Sequence, residues 1–427
     1  MNLREILDRK VVAWAVYDWA NSAFALSIMA VLYPLFLGSY WSAGASGAEV
    51  TARLAWITAG ANFLVAVMAP VLGTIADAGG YRKRFLVMLA AIGAVMTAAL
   101  GFVGEGNWPW ALGLYVFASA GFYSANVFYD SLLVDATRPR HYDFVSALGF
   151  SLGYLGGATL LAIHVWMIRS PATFGLESGA EAIRLAFVTV GFWWALFLVP
   201  LIKWVPEHKR ERVIVGGAVK AAYSELQSTF LKIGQYRNVV IFLLGYLLYI
   251  AGVFTVIAMA VNYGQRLGFS DTDLVMALMI TNFAGFPATF AFGFVGHRYG
   301  PKAGLYIALA VYIAVSTFAV FMTNITQFFI MAIVVGCVQG AAQGLSRSLY
   351  AKLIPQDAPG EFFGFYNMVS KAAHVLGPAL VGVAALLSDD PKAVLLALLP
   401  LFVVGAILLA AVTSGNPRSN PQTSTTA

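Results

Sequence analysis

The chain has little of what soluble enzymes use. Among its 427 residues there are one cysteine, Cys337, and five histidines. One thiol forms neither an intramolecular disulfide nor a thiolate metal cluster. The histidines and carboxylates group into no nucleophile-and-base pair and no ligand set, so we expect no membrane enzyme, no metal and no cofactor. The nucleotide-binding pattern G-x-x-x-x-G-K-[ST] is also absent, which argues against ATP-driven transport within this chain.

Charge is scarce as well. Only 11% of the residues are charged and 60% are hydrophobic, whereas a soluble domain carries roughly 25% charged residues. With a mean hydropathy of +0.78, the chain is predicted to be an integral membrane protein. The N-terminal stub MNLREILDRK carries both signs of charge and does not resemble a cleavable signal. The net charge of +6 is interpreted as basic loop anchors, with no nucleic-acid partner.

Long apolar windows dominate the sequence. A spanning helix needs about 20 apolar residues, and such windows predict an all-α membrane protein with twelve transmembrane helices in two six-helix bundles. The predicted spans are 11–38, 53–76, 84–104, 109–134, 143–168, 183–204, 237–262, 272–295, 301–322, 326–350, 361–386 and 392–413.

Basic residues predict the orientation. Most of the 26 Lys and Arg residues fall on one side if the N-terminus is cytoplasmic, which places both termini in the cytoplasm. The expected organisation is an N-terminal bundle over 1–204, a cytoplasmic linker over 205–236, a C-terminal bundle over 237–413 and a disordered tail over 414–427.

The two halves repeat one another. Residues at an offset of 220 match in pairs: Asn62 with Asn282, Gly73 with Gly293, Gly80 with Gly300 and Arg82 with Lys302. Such matches support two parallel six-helix repeats, as in the major facilitator architecture.

The loop GTIADAGGYRKR lies between the second and third predicted spans. It resembles the major facilitator loop pattern G-x-x-x-D-x-x-G-x-R-[RK]. Its acid can face the positive N-terminal end of a helix, and its basic residues can hold anionic lipid headgroups or an acidic partner. We interpret the loop as a conformational latch, with a topological anchor as the alternative. The latch residues are Gly73, Asp77, Gly80, Arg82 and Lys83.

The first span carries the polar stretch YDWANSAF. Asp18 lies about eight residues past Lys10, or ~12 Å along a helix, where an ionisable side chain indicates function by default. A polar face is formed at helical spacing by Trp14, Asp18, Asn21 and Ser22. We expect this face to line a central solute cavity. The alternative is a buried tie that holds helices together through hydrogen bonds.

Further polar faces occur in the fourth, tenth and eleventh spans. The fourth has Asn126 and Asp130, and the tenth has Gln339, Gln343 and Arg347. At an offset of 217 these faces align, which places Asp130 opposite Arg347. Glycine stripes also mark two spans, and we expect them to be helix-packing surfaces. The stripes are Gly149, Gly153 and Gly157 in the fifth span, and Gly336, Gly340 and Gly344 in the tenth.

The eleventh span places Asn367 and Lys371 on one face, with Lys371 ~16 Å from the cytoplasmic end. An ammonium there is expected to meet a carboxylate, a wet cavity or an anionic group of a solute. We predict a gate in which Asp130 of the first half pairs with Arg347 and Lys371 of the second. Asp18 and Asp130 are the candidate proton sites. His164, without polar neighbours at helical spacing, is given no role.

Five stretches resemble one branch of the major facilitator superfamily: YDWANSAF, FYDSLLVDA, VSALGFSLGYLGG, LSRSLYAKLIP and EFFGFYNMVSK. This branch contains fungal autophagy-linked vacuolar amino-acid effluxers and related bacterial permeases. The resemblance implies secondary transport of a small solute by alternating access, with amino-acid efflux as the first expectation. It also implies a monomer among the lipids of a bacterial cytoplasmic membrane. The chain departs from the family pattern at Ala251, where an acid is common, and at Asp130, where an asparagine is common.

Other functions stay open at this point. The cavity residues also suit peptides, sugars or nucleosides, and proton coupling is one of several possible schemes. A receptor that uses the same fold without transporting is the alternative from a different class.

Overall fold

The computed structural model describes residues 3–47, 49–50, 52–54, 56, 60, 65, 72, 80–207, 233–356, 358–387 and 396–413. Throughout these residues the regular structure is helical, without a strand. Most of the second predicted span, most of the linker and the whole tail lie outside the described residues. Two of the five latch residues, Gly73 and Asp77, lie outside them too.

In the described part of the chain, eleven helices correspond to the predicted spans 1 and 3 to 12. They are α1 (Arg9–Trp41), α2 (Arg82–Leu100), α3 (Trp108–Ser131), α4 (Tyr142–Arg169), α5 (Gly179–Trp204), α6 (Arg237–Arg266), α7 (Asp271–Tyr299), α8 (Pro301–Ala319), α9 (Ile325–Leu353), α10 (Pro359–Leu387) and α11 (Leu399–Ala411). Within α1, regular α-helix over Arg9–Ala23 and Tyr33–Phe36 alternates with π-helical turns over Phe24–Leu32 and Leu37–Trp41. A short helical turn precedes α1 at Leu3–Ile6, and others lie between the helices at Leu133–Ala136, Pro139–His141 and Pro171–Phe174.

Nine helices in the described part, α1 to α9, are long and apolar enough to cross a membrane. The protein is therefore an integral, multi-pass membrane protein. The helix α10 is 29 residues long, and 13 residues of α11 are described. The full count of twelve spans, the division into domains and the cytoplasmic position of both termini stay predictions.

Capping residues define where several helices begin. The Asp8 side chain accepts a hydrogen bond from the Val11 amide at 2.9 Å, at the start of α1. Ser270 and Asp273 form a reciprocal capping box on α7, which satisfies two amides that have no partner within the helix. Gly300 adopts a positive φ of 85°, and this allows the sharp reversal between α7 and α8.

The helices pack as two groups, and a few helix–helix contacts join the groups. In the first group α1 packs on α4 and α5, and α2 packs on α3 and α5. In the second group α9 packs on α7 and α8, and α6 packs on α10 and α11. Between the groups, α4 contacts α7 and α9, and α3 contacts α10. The contact is close because it uses glycine: a Cβ at Gly344 would lie 3.3 Å from the Ala147 Cα. The stripe in α9 therefore packs against other helices.

Candidate gate between the two halves

Arg347 occupies the centre of the contact between the halves. It lies on α9, is 1% exposed, and donates from Nη1 to Asp130 Oδ1 on α3 at 2.9 Å. Its Nε donates to the hydroxyl of Ser146 on α4 at 2.8 Å, and its Nη2 donates to the Ser146 carbonyl at 2.9 Å. The Ser146 hydroxyl in turn donates to the Gly344 carbonyl at 2.7 Å. One arginine of the second half thus binds two helices of the first.

A second carboxylate faces the same guanidinium. Asp18 Oδ2, on α1, lies 3.8 Å from Arg347 Nη2 and accepts a hydrogen bond from the Tyr129 hydroxyl at 3.1 Å. Both carboxylates are buried, at 7% exposure for Asp18 and 8% for Asp130. We call Asp18, Tyr129, Asp130 and Arg347 the central ion cluster. It places two acids of the first half around one base of the second.

Aromatic rings enclose the cluster. The Trp14 ring stacks on Tyr129 with centroids 4.5 Å apart, and the Trp14 indole donates to the Tyr129 carbonyl at 3.0 Å. The guanidinium carbon of Arg347 lies 4.8 Å from the Trp14 ring and 4.3 Å from the Phe150 ring. Ring faces attract a cation and exclude water from it, so the cluster lies in a site of low polarity, where its interactions are strong.

The helix α10 also contacts the central ion cluster, in addition to α1, α3, α4 and α9. Asn367 donates from its amide to Asp130 Oδ2 at 3.1 Å and to the Phe363 carbonyl at 3.0 Å. Each oxygen of the Asp130 carboxylate therefore has a donor from the second half. The sequence predicts Asn367 as a cavity residue, and in the structure it contacts Asp130 of the central ion cluster.

A second ion pair joins the halves near the C-terminal end of α9. Asp143 on α4 accepts from Lys352 Nζ at 2.5 Å and from the Ser348 hydroxyl at 2.8 Å. The Lys352 side chain is 30% exposed, whereas that of Asp143 is 3% exposed. Sequence reasoning missed this pair. Its signal was the spacing of four between Ser348 and Lys352, which places both on one face of a helix.

The polar strip of α1 is covered in this conformation. Asn21 donates to Asn126 Oδ1 on α3 at 2.6 Å, and Asn21 is 2% exposed. Ser22 lies against α4, where a Cβ at Gly153 would approach its hydroxyl to 2.5 Å. The strip, Trp14 included, therefore links α1 to its neighbours, as in the alternative of a buried tie. On α9, Gln343 lies 3.4 Å from the Tyr154 hydroxyl, and Gln339 is 4% exposed.

Two buried side chains differ from expectation. Lys371 pairs with no carboxylate of the described residues, including Asp130; its Nζ lies 2.9 Å from the centroid of the Tyr123 ring. His164, which lacks polar neighbours on its own helix, has them on others: Ser27 Oγ at 3.3 Å and Thr189 Oγ1 at 2.9 Å. Spacing along one helix does not reveal partners that tertiary packing supplies.

The described part of the predicted latch folds back on the first half. Gly80 adopts a positive φ of 63°. Arg82 is 1% exposed and pairs with Asp135 at 2.6 Å, while Lys83 Nζ donates to the Val205 carbonyl at 2.7 Å. The expectation that these basic side chains meet lipid headgroups is therefore wrong for Arg82, because its guanidinium is buried within the protein. The corresponding loop of the second half uses His297, whose Nδ1 lies 3.1 Å from the Arg140 carbonyl.

Two solved structures of transporters have a similar fold. The proton:xylose symporter XylE, bound to 6-bromo-6-deoxy-D-glucose, matches with a TM-score of 0.72 at 15% identity, over 96% of each chain. The transporter FucP in its outward conformation matches with a TM-score of 0.72 at 13% identity, over 96% of this chain and 99% of that one. At these identities the likeness shows the fold, which is that of the major facilitator superfamily.

Sequence relatives are closer. The MFS-type transporter YxiO of Bacillus subtilis is 38% identical over 406 residues, which cover 94% of each chain. Autophagy-related protein 22 of Yarrowia lipolytica is 27% identical over 270 residues, or 56% of this chain and 45% of that protein. The same-named protein of Eremothecium gossypii is 23% identical over 442 residues, or 88% and 85%.

The family model described as "Vacuole effluxer Atg22 like" matches residues 49–141 and 135–420. These two matches cover most of the chain, and they include every residue of the central ion cluster except Asp18. The chain belongs to this Atg22-like family of major facilitator transporters.

Proposed function

We propose that this transporter moves a small solute by alternating access, and that the central ion cluster closes the solute path at the cytoplasmic side. The observation that carries the proposal is the position of Arg347, a residue of the second half whose charge and hydrogen bonds are satisfied by Asp18, Asp130 and Ser146 of the first. The cluster exists only while the halves are together at this level. Separation of the halves there would open the path.

The energetics suit a reversible gate. Burial of charges costs free energy that their mutual attraction only partly recovers. A buried ion cluster is therefore less costly to open than an apolar seam of the same area would be, since water solvates the separated charges. The pair of Asp143 with Lys352 adds a second connection between the same two halves.

Neutral amino acids are the first candidate solutes. The proposal is supported by membership of a family named for vacuole effluxers and by amide and hydroxyl groups beside the cluster. Peptides, sugars and nucleosides are the competing solutes, and a bacterial cytoplasmic membrane is the proposed location. We expect a monomer, since each half of the path is formed within one chain.

Counterflow in proteoliposomes tests this function. Purified protein is reconstituted, each vesicle batch is loaded with one unlabelled solute of a panel, and uptake of the labelled form is followed. We expect accumulation of at least one neutral amino acid, and Arg347→Gln, purified in folded form, serves as the transport-dead control. Well-folded protein that accumulates no solute of any class would favour a receptor instead.

Asp18 is the proposed proton site. Two carboxylates face one guanidinium, so one of them can accept a proton without leaving Arg347 unpaired. We expect Asp18→Asn to keep counterflow within about fivefold of wild type, a loss on the order of 1 kcal/mol, and to abolish accumulation driven by a pH gradient. Unchanged pH-driven accumulation in Asp18→Asn would assign Asp18 a purely structural role.

Asp143→Asn should have a milder effect. Its partner Lys352 is partly exposed, so water can solvate the released ammonium, and the substitution leaves no unpaired charge buried. We expect at most a fivefold loss of counterflow rate. A loss as large as that of Arg347→Gln would show that the second pair dominates the gate.

A further inference from the structure

Lys371 differs from the other buried basic side chains. Among the lysines and arginines in the described part of the chain, three are buried: Arg82, Arg347 and Lys371. Arg82 pairs with Asp135 at 2.6 Å, and Arg347 pairs with Asp130 at 2.9 Å. Lys371, which is 6% exposed, has no carboxylate of the described residues within ion-pair distance. An ammonium held inside the protein without a counter-ion is unfavourable and indicates a functional site.

Its present contact is a ring of the opposite half. The Lys371 ammonium lies over the face of Tyr123, with Nζ 2.9 Å from the ring centroid. Tyr123 is on α3 and Lys371 on α10, so this contact bridges the two halves, as the ion cluster does. The ring face attracts the cation from one side of the ammonium only, whereas the ammonium has three N–H donors. Donors therefore remain for another acceptor.

The position of Lys371 relative to the gate follows from helix geometry. It lies one turn beyond Asn367, which binds Asp130 at 3.1 Å, or about 6 Å further along α10. Tyr123 lies seven residues before Asp130, or about 10 Å back along α3. Both steps lead away from the ion cluster in the same direction, because α3 and α10 cross the membrane in opposite senses in the proposed topology. Lys371 thus lies between the halves, just beyond the closed gate.

We propose that Lys371 binds the carboxylate of the transported solute. This inference rests on the proposed transport function and names the chemical class of its substrate, which is small solutes with a carboxylate. When no solute is bound, the Tyr123 ring contacts the Lys371 ammonium instead. The carboxylate supplies the counter-ion that the described protein does not. A solute with its carboxylate converted to a primary amide has the same shape but no charge, and it leaves the ammonium unneutralised.

Matched acid and amide pairs test the assignment. In proteoliposomes, uptake of each labelled neutral amino acid accepted in counterflow is competed with the unlabelled acid and with its primary amide. We expect wild type to prefer the acid at least tenfold in half-maximal concentration. In Lys371→Gln the preference should fall below twofold, and Lys371→Arg, which keeps the charge, should retain part of it.

The matched control is Lys203→Gln. Lys203 also lies over an aromatic ring, that of Trp204 at 5.1 Å, but it is exposed near the end of α5, so its loss should leave the preference unchanged. Size-exclusion profiles verify that each variant is folded. Equal competition by acid and amide in wild type, or an undiminished preference in Lys371→Gln, would overturn the role of Lys371 while transport itself stands. Absence of counterflow by any solute would instead contradict the proposed function.

Discussion

Arg347→Gln is expected to lose nearly all transport, and Asp130→Asn to lose clearly less. Removal of the guanidinium leaves two buried carboxylates, Asp18 and Asp130, facing each other without a counter-ion. Loss of one partner of a buried pair costs about 3–5 kcal/mol, enough to impair folding or hold the gate open. In Asp130→Asn, by contrast, Arg347 keeps Asp18 at 3.8 Å and Ser146 at 2.8 Å.

Counterflow rates and the melting temperature in detergent measure this asymmetry. Arg347→Gln should show the larger decrease in both, and the double variant Arg347→Gln/Asp130→Asn should melt higher than Arg347→Gln alone, because it removes one uncompensated carboxylate. Equal loss in the two single variants would mean that Asp18 does not share the arginine. A double variant no better than Arg347→Gln would contradict the electrostatic explanation.

The pairing of Asp130 with Arg347 shows what a sequence can reveal. The alignment of the two halves at an offset of 217 placed Asp130 opposite Arg347, and the two side chains lie 2.9 Å apart. Parallel repeats make corresponding helices face each other across one axis, so a charged residue in one half has its counterpart at a similar depth in the other. The depth of a residue in the membrane and the face of the helix on which it lies can both be derived from its spacing along the helix.

Uncharged partners were not predictable in the same way. Ser146 and Tyr129 make several of the contacts in the central ion cluster, yet serine and tyrosine are common in membrane helices and carry no charge to mark them. The ring of Tyr123 beneath Lys371 and the hydroxyls around His164 belong to other helices. Helical spacing gives the face of a residue, but which helix covers that face depends on crossing angles set by packing.

Gly149→Ala should impair transport far more than its size suggests. A Cβ at this position would lie 2.7 Å from the Tyr129 hydroxyl and 3.1 Å from both Asp18 Oδ2 and Arg347 Nη2. Tyr129 is 1% exposed and stacked on Trp14, so its hydroxyl has little room to retreat. The added methyl group therefore separates Tyr129 from Asp18 and moves the carboxylate away from the guanidinium.

Gly157→Ala, two turns along the same helix, separates gating from packing. There a Cβ would lie 3.0 Å from the Ser22 carbonyl and 3.4 Å from the Leu26 Cβ, away from the cluster. Both substitutions overpack a helix contact and should cost about 1–3 kcal/mol of stability, measured as similar decreases in melting temperature. Only Gly149→Ala should also lower the counterflow rate of the surviving folded protein, by about tenfold, equivalent to 1.4 kcal/mol. Equal rates for the two variants would reduce Gly149 to a packing residue, whereas a selective loss would place the stripe of α4 within the gate.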